Sequence, residues 1–586
     1  MSKVIKIFDI ICLKRGVNVN KSKKKIAQDP ILILTIILVV SSLAVFIVYP
    51  LFQIAKASFF NIHGEFSIAG YQRVLRGGNL LRALTNSLRL AAITATLSTI
   101  IAYIFAYTIN YVNVPFKKMF SGMAILPVIS PPFVISLSAI LLFGRRGFVT
   151  YHFLGMQNAN IYGLNGLILV QTLTYFPIAF MVLAGLLKSL SPALEEASEN
   201  LGASKLETFL KVTLPLTVPG IANAFLLVFI QSMADFGNPM TIGGNYSTIA
   251  REIYLQAIGS YDMQAGATLA MLLLTITLIV YALQKFWIGN KSYITVTGKP
   301  TGVRKLVEKG LFKNVMFGIC FGLSAMVMLF YLLVPIGSFI RLWGVNNSFT
   351  TDHYKYVFSI GRKPLMDSLK LSLYATPISA FLGMIIAFLT VRKKFFGKRF
   401  VELVSMLAIA IPGTVIGISY ILSFNVRPLA LTGTATIIVV ALVVRAMPVG
   451  MRSGITALQQ IDPALEEAAI NLGASQAKTF FSVVIPLIKP AFFSGLVYSF
   501  VKSMTAMSAI IFLVSARYNL VTASILSQVE SGRLGVASAY STILIIIMIF
   551  SLVILNTIVR IFGGHEKTNS PKINKKKPIN LNQGGM

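Results

Sequence analysis

The residues of this chain best suited to chemistry are two adjacent carboxylate pairs, Glu195-Glu196 and Glu466-Glu467, standing 271 positions apart. Neighbouring carboxylates can trade a proton with a substrate or join a metal's ligand set. Catalysis, however, needs a base or nucleophile beside them, and a tight metal site needs His, Cys or further carboxylates in register. Neither pair has that company, since no His or Cys lies in either surrounding segment. What the pairs supply is negative charge near the start of a helix, where the backbone dipole favours it. That suits recognition rather than bond making.

The two surrounding segments are copies. PALEEASENLGASKLETFLKVTLPL at Pro192 to Leu216 and PALEEAAINLGASQAKTFFSVVIPL at Pro463 to Leu487 agree at 16 of 25 positions. Ser191-Pro192 and Asp462-Pro463 set a capping residue before a proline at the first helical position. Ala197 and Ala468 keep part of the surface small, and Gly202 and Gly473 let the chain turn or approach another backbone closely. Pro215 and Pro486 mark entry into the next apolar run. A solvated connector helix explains one such segment. It does not explain two with the same Glu, Gly and Pro at offsets of 6 and 13 residues while the neighbouring loops have diverged. Something two-fold docks there.

A second group of candidates lies within or near apolar runs. Arg445, Arg452 and Lys502 belong to the second half and Asp235 to the first. A charge facing lipid is costly, so such residues point to a polar path. Arg452 and Lys502 also fit side chains that snorkel to an interface. Pro132, Pro177, Pro412 and Pro448 interrupt the same runs and read either as pore-lining or hinge positions or as packing kinks. No cluster in these runs has the ligands of a tight metal site, and no metal or other cofactor is expected on this chain.

The elements that position these residues are membrane helices. Of 586 residues, 55% are hydrophobic and 12% charged, with a mean hydropathy of +0.77. A soluble domain is about one quarter charged. Apolar runs long enough to cross a bilayer fall at 31–52, 88–108, 119–143, 163–187, 217–236 and 266–284, and again at 312–337, 369–390, 402–424, 434–454, 488–512 and 536–560. The expected architecture is an all-α membrane protein of twelve transmembrane helices in two homologous six-helix halves. A basic N-terminus covers 1–30, the first half 31–290 with its loop at 191–216, a linker 291–311, the second half 312–562 with its loop at 462–487, and a disordered basic tail 563–586. The first run is longer than a signal-peptide core and lacks a clear cleavage site, so it is expected to stay as a span.

Charge sets the orientation. The formal net charge of +33 sits mainly in short stretches between apolar runs, without the interleaved aromatics or zinc spacing of a nucleic-acid groove. Eight Lys or Arg occupy the first 26 residues, seven the linker from Lys285 to Lys313, five the turn from Arg392 to Arg399 and six the tail from Arg560. An even number of spans places all four stretches on one side. The positive-inside rule makes that side the cytoplasm, with both termini and both copied loops there and anionic lipid beside them.

Glu196-Ala197-Ser198, Gly202 and Leu214-Pro215, with Glu467-Ala468-Ala469, Gly473 and Ile485-Pro486, resemble the cytoplasmic coupling loop of bacterial ABC importer permeases. The resemblance covers about 30 to 560 and implies the type I importer fold. It implies ATPase-coupling roles for Glu195, Glu196, Ala197, Gly202 and Pro215 and for Glu466, Glu467, Ala468, Gly473 and Pro486. It also implies two ATP-binding cassette subunits that use ATP and Mg, and an extracytoplasmic substrate-binding protein. The chain itself has no GxxxxGK[ST] run and is read as a transport subunit, not an enzyme. Residues Ala234 to Gly244, Gln284 to Lys299, Ile411 to Asn425 and Ala506 to Ile525 resemble fused permeases of ferric iron importers, so iron(III) is the expected cargo. 2-Aminoethylphosphonate, thiamine or another small solute are the alternatives. A secondary transporter should show ion-coupling carboxylates in its spans and needs no copied docking helix; a membrane enzyme should show a nucleophile with its base.

Overall fold

The computed structural model describes residues 30–61, 64–76, 78–131, 133–157, 159–288 and 304–562. The basic N-terminus before residue 30, linker residues 291–303, the tail from 563 and Pro132 lie outside the described residues. In lipid a backbone amide has no partner but another backbone group, so the apolar runs become helices. The first half contains α1 (Pro30–Phe59), α2 (Asn79–Tyr111), α3 (Lys117–Ile129), α4 (Phe133–Phe143), α5 (Leu164–Ser189), the short α6 (Pro192–Asn200), α7 (Lys205–Met233) and α8 (Met263–Phe286). The second contains α9 (Leu311–Ser338), α10 (Arg362–Arg392), α11 (Lys398–Ala410), α12 (Gly413–Phe424), α13 (Ala435–Gln459), α14 (Ala464–Asn471), α15 (Phe480–Leu487), α16 (Lys489–Met504) and α17 (Leu534–Phe562).

Among the described residues, ten helices are long and apolar enough to cross a membrane, α4 being counted with its continuation to Phe153. The pairs α11 with α12 and α15 with α16, bent by 114° and 76°, bring the number to as many as twelve. The chain is thus an all-α duplicated membrane protein. One small antiparallel hairpin, β1 (Ile340–Leu342) with β2 (Asn346–Phe349), departs from the helical pattern in a connecting loop.

The halves are not separate bundles. The first helix of each reaches into the other. The hydroxyl of Tyr420 on α12 donates to the carbonyl of Phe46 on α1 at 2.8 Å, and the rings of Phe46 and Tyr49 lie 5.8 and 6.2 Å from that of Phe424. In return, α9 packs on α4, where Ser138 donates to the Phe330 carbonyl, and Trp343 just beyond α9 donates to the Leu141 carbonyl at 2.8 Å. The buried core of the first half includes Cys320 and Phe330 from α9. The larger core joins Leu43 and Ile47 of α1 to Val415 and Phe424 of α12.

Candidate functional site

Both copied segments fold into a short helix, a glycine turn and a rising helix. In the second copy Asp462 Oδ1 accepts from the Ala464 amide at 2.9 Å, whereas Ser191 makes no side-chain cap and the start of α6 rests on Pro192. Gly202 and Gly473 have φ of +90° and +86°, with no atom within 4 Å of where a Cβ would stand. Of the two readings of these glycines, the structure selects the turn over the close approach. A capping box follows in the first copy, with Ser204 and Glu207 bonded reciprocally. In the second, Ser475 accepts from the amide of Lys478 at 3.2 Å. Pro215 and Pro486 stand in the first turn of the segments from Leu214 and from Ile485.

The adjacent glutamates diverge. Consecutive helical residues point about 100° apart, so only one of two neighbours can face the bundle. Glu195 and Glu466 face inward at 15% and 9% side-chain exposure, while Glu196, Glu467, Ala197 and Ala468 are exposed. Glu466 Oε1 lies 2.7 Å from Nε of Arg392, the last residue of α10, whose Nη2 donates to the carbonyls of Leu458 and Ile461 at 2.9 and 2.7 Å. Glu195 Oε2 lies 3.4 Å from Nε of Arg304, and its Oε1 accepts from Tyr111 at 2.7 Å and Thr213 at 3.2 Å. Each short helix is therefore tied down by a largely buried ion pair. On the outer side Leu201 and Leu472, equivalent positions, are each 89% exposed. Sequence reasoning counted Arg304 and Arg392 only as cytoplasmic charges; nothing in their spacing marks the carboxylates they meet.

The other candidates scatter. Asp235 is buried just after α7. It accepts from Gln171 Nε2 at 2.7 Å and from Asn238 Nδ2 at 2.8 Å; Gln171 Oε1 accepts from Ser232, and Asn238 Oδ1 from Ser136. The structure thus places it in a satisfied network inside the first half. Pro177 and Pro448 are buried within continuous α5 and α13. Pro412 caps α12 at its sharp bend from α11. Arg445, partly buried on α13, has no ion pair or hydrogen bond among the described residues, and its Nη1 would lie 2.6 Å from a Cβ at Gly413. Lys502 is exposed, 5.7 Å above the ring of Tyr498. The copied loops are brought into one kind of site; these residues are not.

At the ends of the helices opposite the loops, a cavity of about 1230 Å³ opens between the halves, lined by Arg145, Arg146, Arg341, Arg533, Trp343 and His353 among others. Asp352, the acidic residue of its lining, is held below the usual carboxylate range by a hydrogen bond from Lys355, then by the Thr350 hydroxyl and the nearby positive charges.

Long apolar helices, a duplicated core and two matching anchored loops define a two-halved membrane permease. The chain belongs to the family described as the binding-protein-dependent transport system inner membrane component, whose model matches residues 98–287 and again 379–565. It is 39% identical to the ferric transport system permease protein FbpB of Actinobacillus pleuropneumoniae, over 92% of this chain and 80% of that protein. It is 40% identical to the putative ferric transport system permease protein FbpB 1 of Haemophilus influenzae, over 84% of this chain and 80% of that one. The molybdenum transport system permease protein ModB of Haemophilus influenzae is 28% identical over 36% of this chain and 94% of its own length.

Proposed function

We propose that this chain is the membrane-crossing subunit of an ATP-driven importer of iron(III), with α6 and α14 each seated on one of two ATP-binding cassette subunits at the cytoplasmic face. The observation that carries the docking role is the matched pair of loops, each held by an inward-facing glutamate in an ion pair and presenting an exposed leucine outward at the same position. Leucines exposed at equivalent positions just beyond two anchored helices suit a pair of like partner surfaces. Dependence on a substrate-binding protein is the family's defining trait. Iron(III) is drawn from two relatives named as ferric permeases that align over most of the chain. ATP and Mg are used on the partner subunits, and the basic stretches favour both termini inside.

In this reading, closure of the cassette subunits draws α6 and α14 together. Because the Glu466–Arg392 pair ties α14 to the end of α10, and the hydroxyl of Tyr111 at the end of α2 donates to Glu195 of α6, the halves rock and the path opens to alternate sides. The test is reconstitution in proteoliposomes with candidate cassette subunits and binding protein. ATP-dependent uptake of ferric iron, unaffected by 2-aminoethylphosphonate or thiamine, is expected. Stimulation by an organic ligand alone keeps the importer and replaces the cargo, and uptake indifferent to ATP removes the importer reading.

A further inference from the structure

Ser87-Leu88-Arg89-Leu90 on α2 and Ser368-Leu369-Lys370-Leu371 on α10 align at an offset of 281, and Ser87 and Ser368 each accept from a backbone amide, of Ile249 and Val521, at 2.8 Å. The same offset makes Tyr111, the last residue of α2, the counterpart of Arg392, the last residue of α10. The first half therefore lacks the arginine with which the second half anchors its loop. It has the same acceptors: Leu187, Leu190 and Glu195 correspond to Leu458, Ile461 and Glu466.

Arg304 fills the vacancy. Its Nη1 and Nη2 donate to the carbonyls of Leu187 and Leu190 at 3.0 and 2.9 Å, its Nε faces Glu195, and its guanidinium lies 4.1 Å from the ring centre of Tyr111. Backbone bonds hold the segment in place: the Val307 amide donates to the Tyr111 carbonyl at 2.9 Å and the Asn113 amide to the Val307 carbonyl at 3.0 Å. Arg304 is no part of the first half. It stands seven residues before α9, the helix of the second half that packs on the first.

We propose that Arg304 is the positioning residue of the first coupling helix, so that the segment between the halves is a working part of coupling and ties α6 to α9. A planar fork that engages two carbonyls and a carboxylate fixes the angle as well as the distance of the helix it holds. The inference rests on the docking role given above to α6 and α14. It differs from a general stabilising role because it is local to one loop and because the second half supplies its own remedy, an arginine at the end of the preceding span.

The experiment uses the full chain with its cassette subunits, carrying a photo-crosslinking residue at Leu201 or at Leu472, together with the ratio of uptake to ATP hydrolysis. Arg304→Ala is expected to lower crosslinking at position 201 by about tenfold while sparing position 472, and to lower the coupling ratio. Adding Tyr111→Arg to Arg304→Ala reproduces the arrangement at Arg392 and is expected to restore both readouts to within about twofold of the parent. Equal loss at both positions, unchanged crosslinking at 201, or failure of Tyr111→Arg to restore it overturns the proposal while leaving the docking role intact. Absence of crosslinking at both positions in the parent chain removes the docking role, and this proposal with it.

Discussion

Glu466 and Glu467 are neighbours with different surroundings, so their substitutions should separate. Charge reversal at exposed Glu467 is expected to leave insertion and thermal stability unchanged and to weaken recruitment of the cassette subunits, read by co-purification. Arg392→Ala instead strands a nearly buried carboxylate and should loosen the second loop by roughly 2 kcal/mol, read as faster amide exchange across 462–475. Asp235 offers a third residue-scale case. Its network of Thr94, Ser136, Gln171 and Asn238 is replaced in the second half by Ala375, Gly417, Leu442 and Ala509, with Ala506 for Asp235 itself. Asp235→Ala alone takes the acceptor from three amide donors, the side chains of Gln171 and Asn238 and the Asn238 backbone, and should cost about 2 kcal/mol. The further changes Gln171→Leu and Asn238→Ala should recover part of that in melting experiments in detergent. The buried candidates could be picked out as charged or polar residues in apolar runs, but their partners come from other helices and were invisible to spacing.

At the scale of elements, the turn between the short and rising helices depends on backbone conformation alone. Gly473→Ala meets open space yet must hold a left-handed φ, so it should destabilise the loop by about 1 kcal/mol and lower coupled uptake, while Gly473→Asn, which tolerates that region better, should lose less. Helix identity and loop order were readable from apolar runs and from the copied Glu, Gly and Pro. Bends were not. Pro219 and Pro490 are equivalent prolines, yet the first sits inside the unbroken helix Leu214–Met233 and the second stands beside a 76° bend. A proline removes one amide donor and so permits a bend; packing around it determines whether one occurs.

For the whole molecule, the exchanged first helices make each half incomplete without the other. Separately produced fragments 1–290 and 291–586 are expected to co-purify from detergent when expressed together, because α1 and α9 must each find a groove on the other fragment. Independent migration of the two would contradict the exchange. The sequence by itself determined the class: mean hydropathy and run length require membrane helices, since unpaired amides are not tolerated in lipid, and the 16 identities in 25 residues require two related halves with two related loops. Only the tertiary structure decided which glutamate of each pair faces inward, that Arg304 and Arg392 do the same work from unrelated positions, and that α1 and α9 change sides. Periodicity and spacing describe a chain's neighbours along itself, whereas an ion pair between Glu195 and Arg304 or a helix groove exists only once distant segments are packed together.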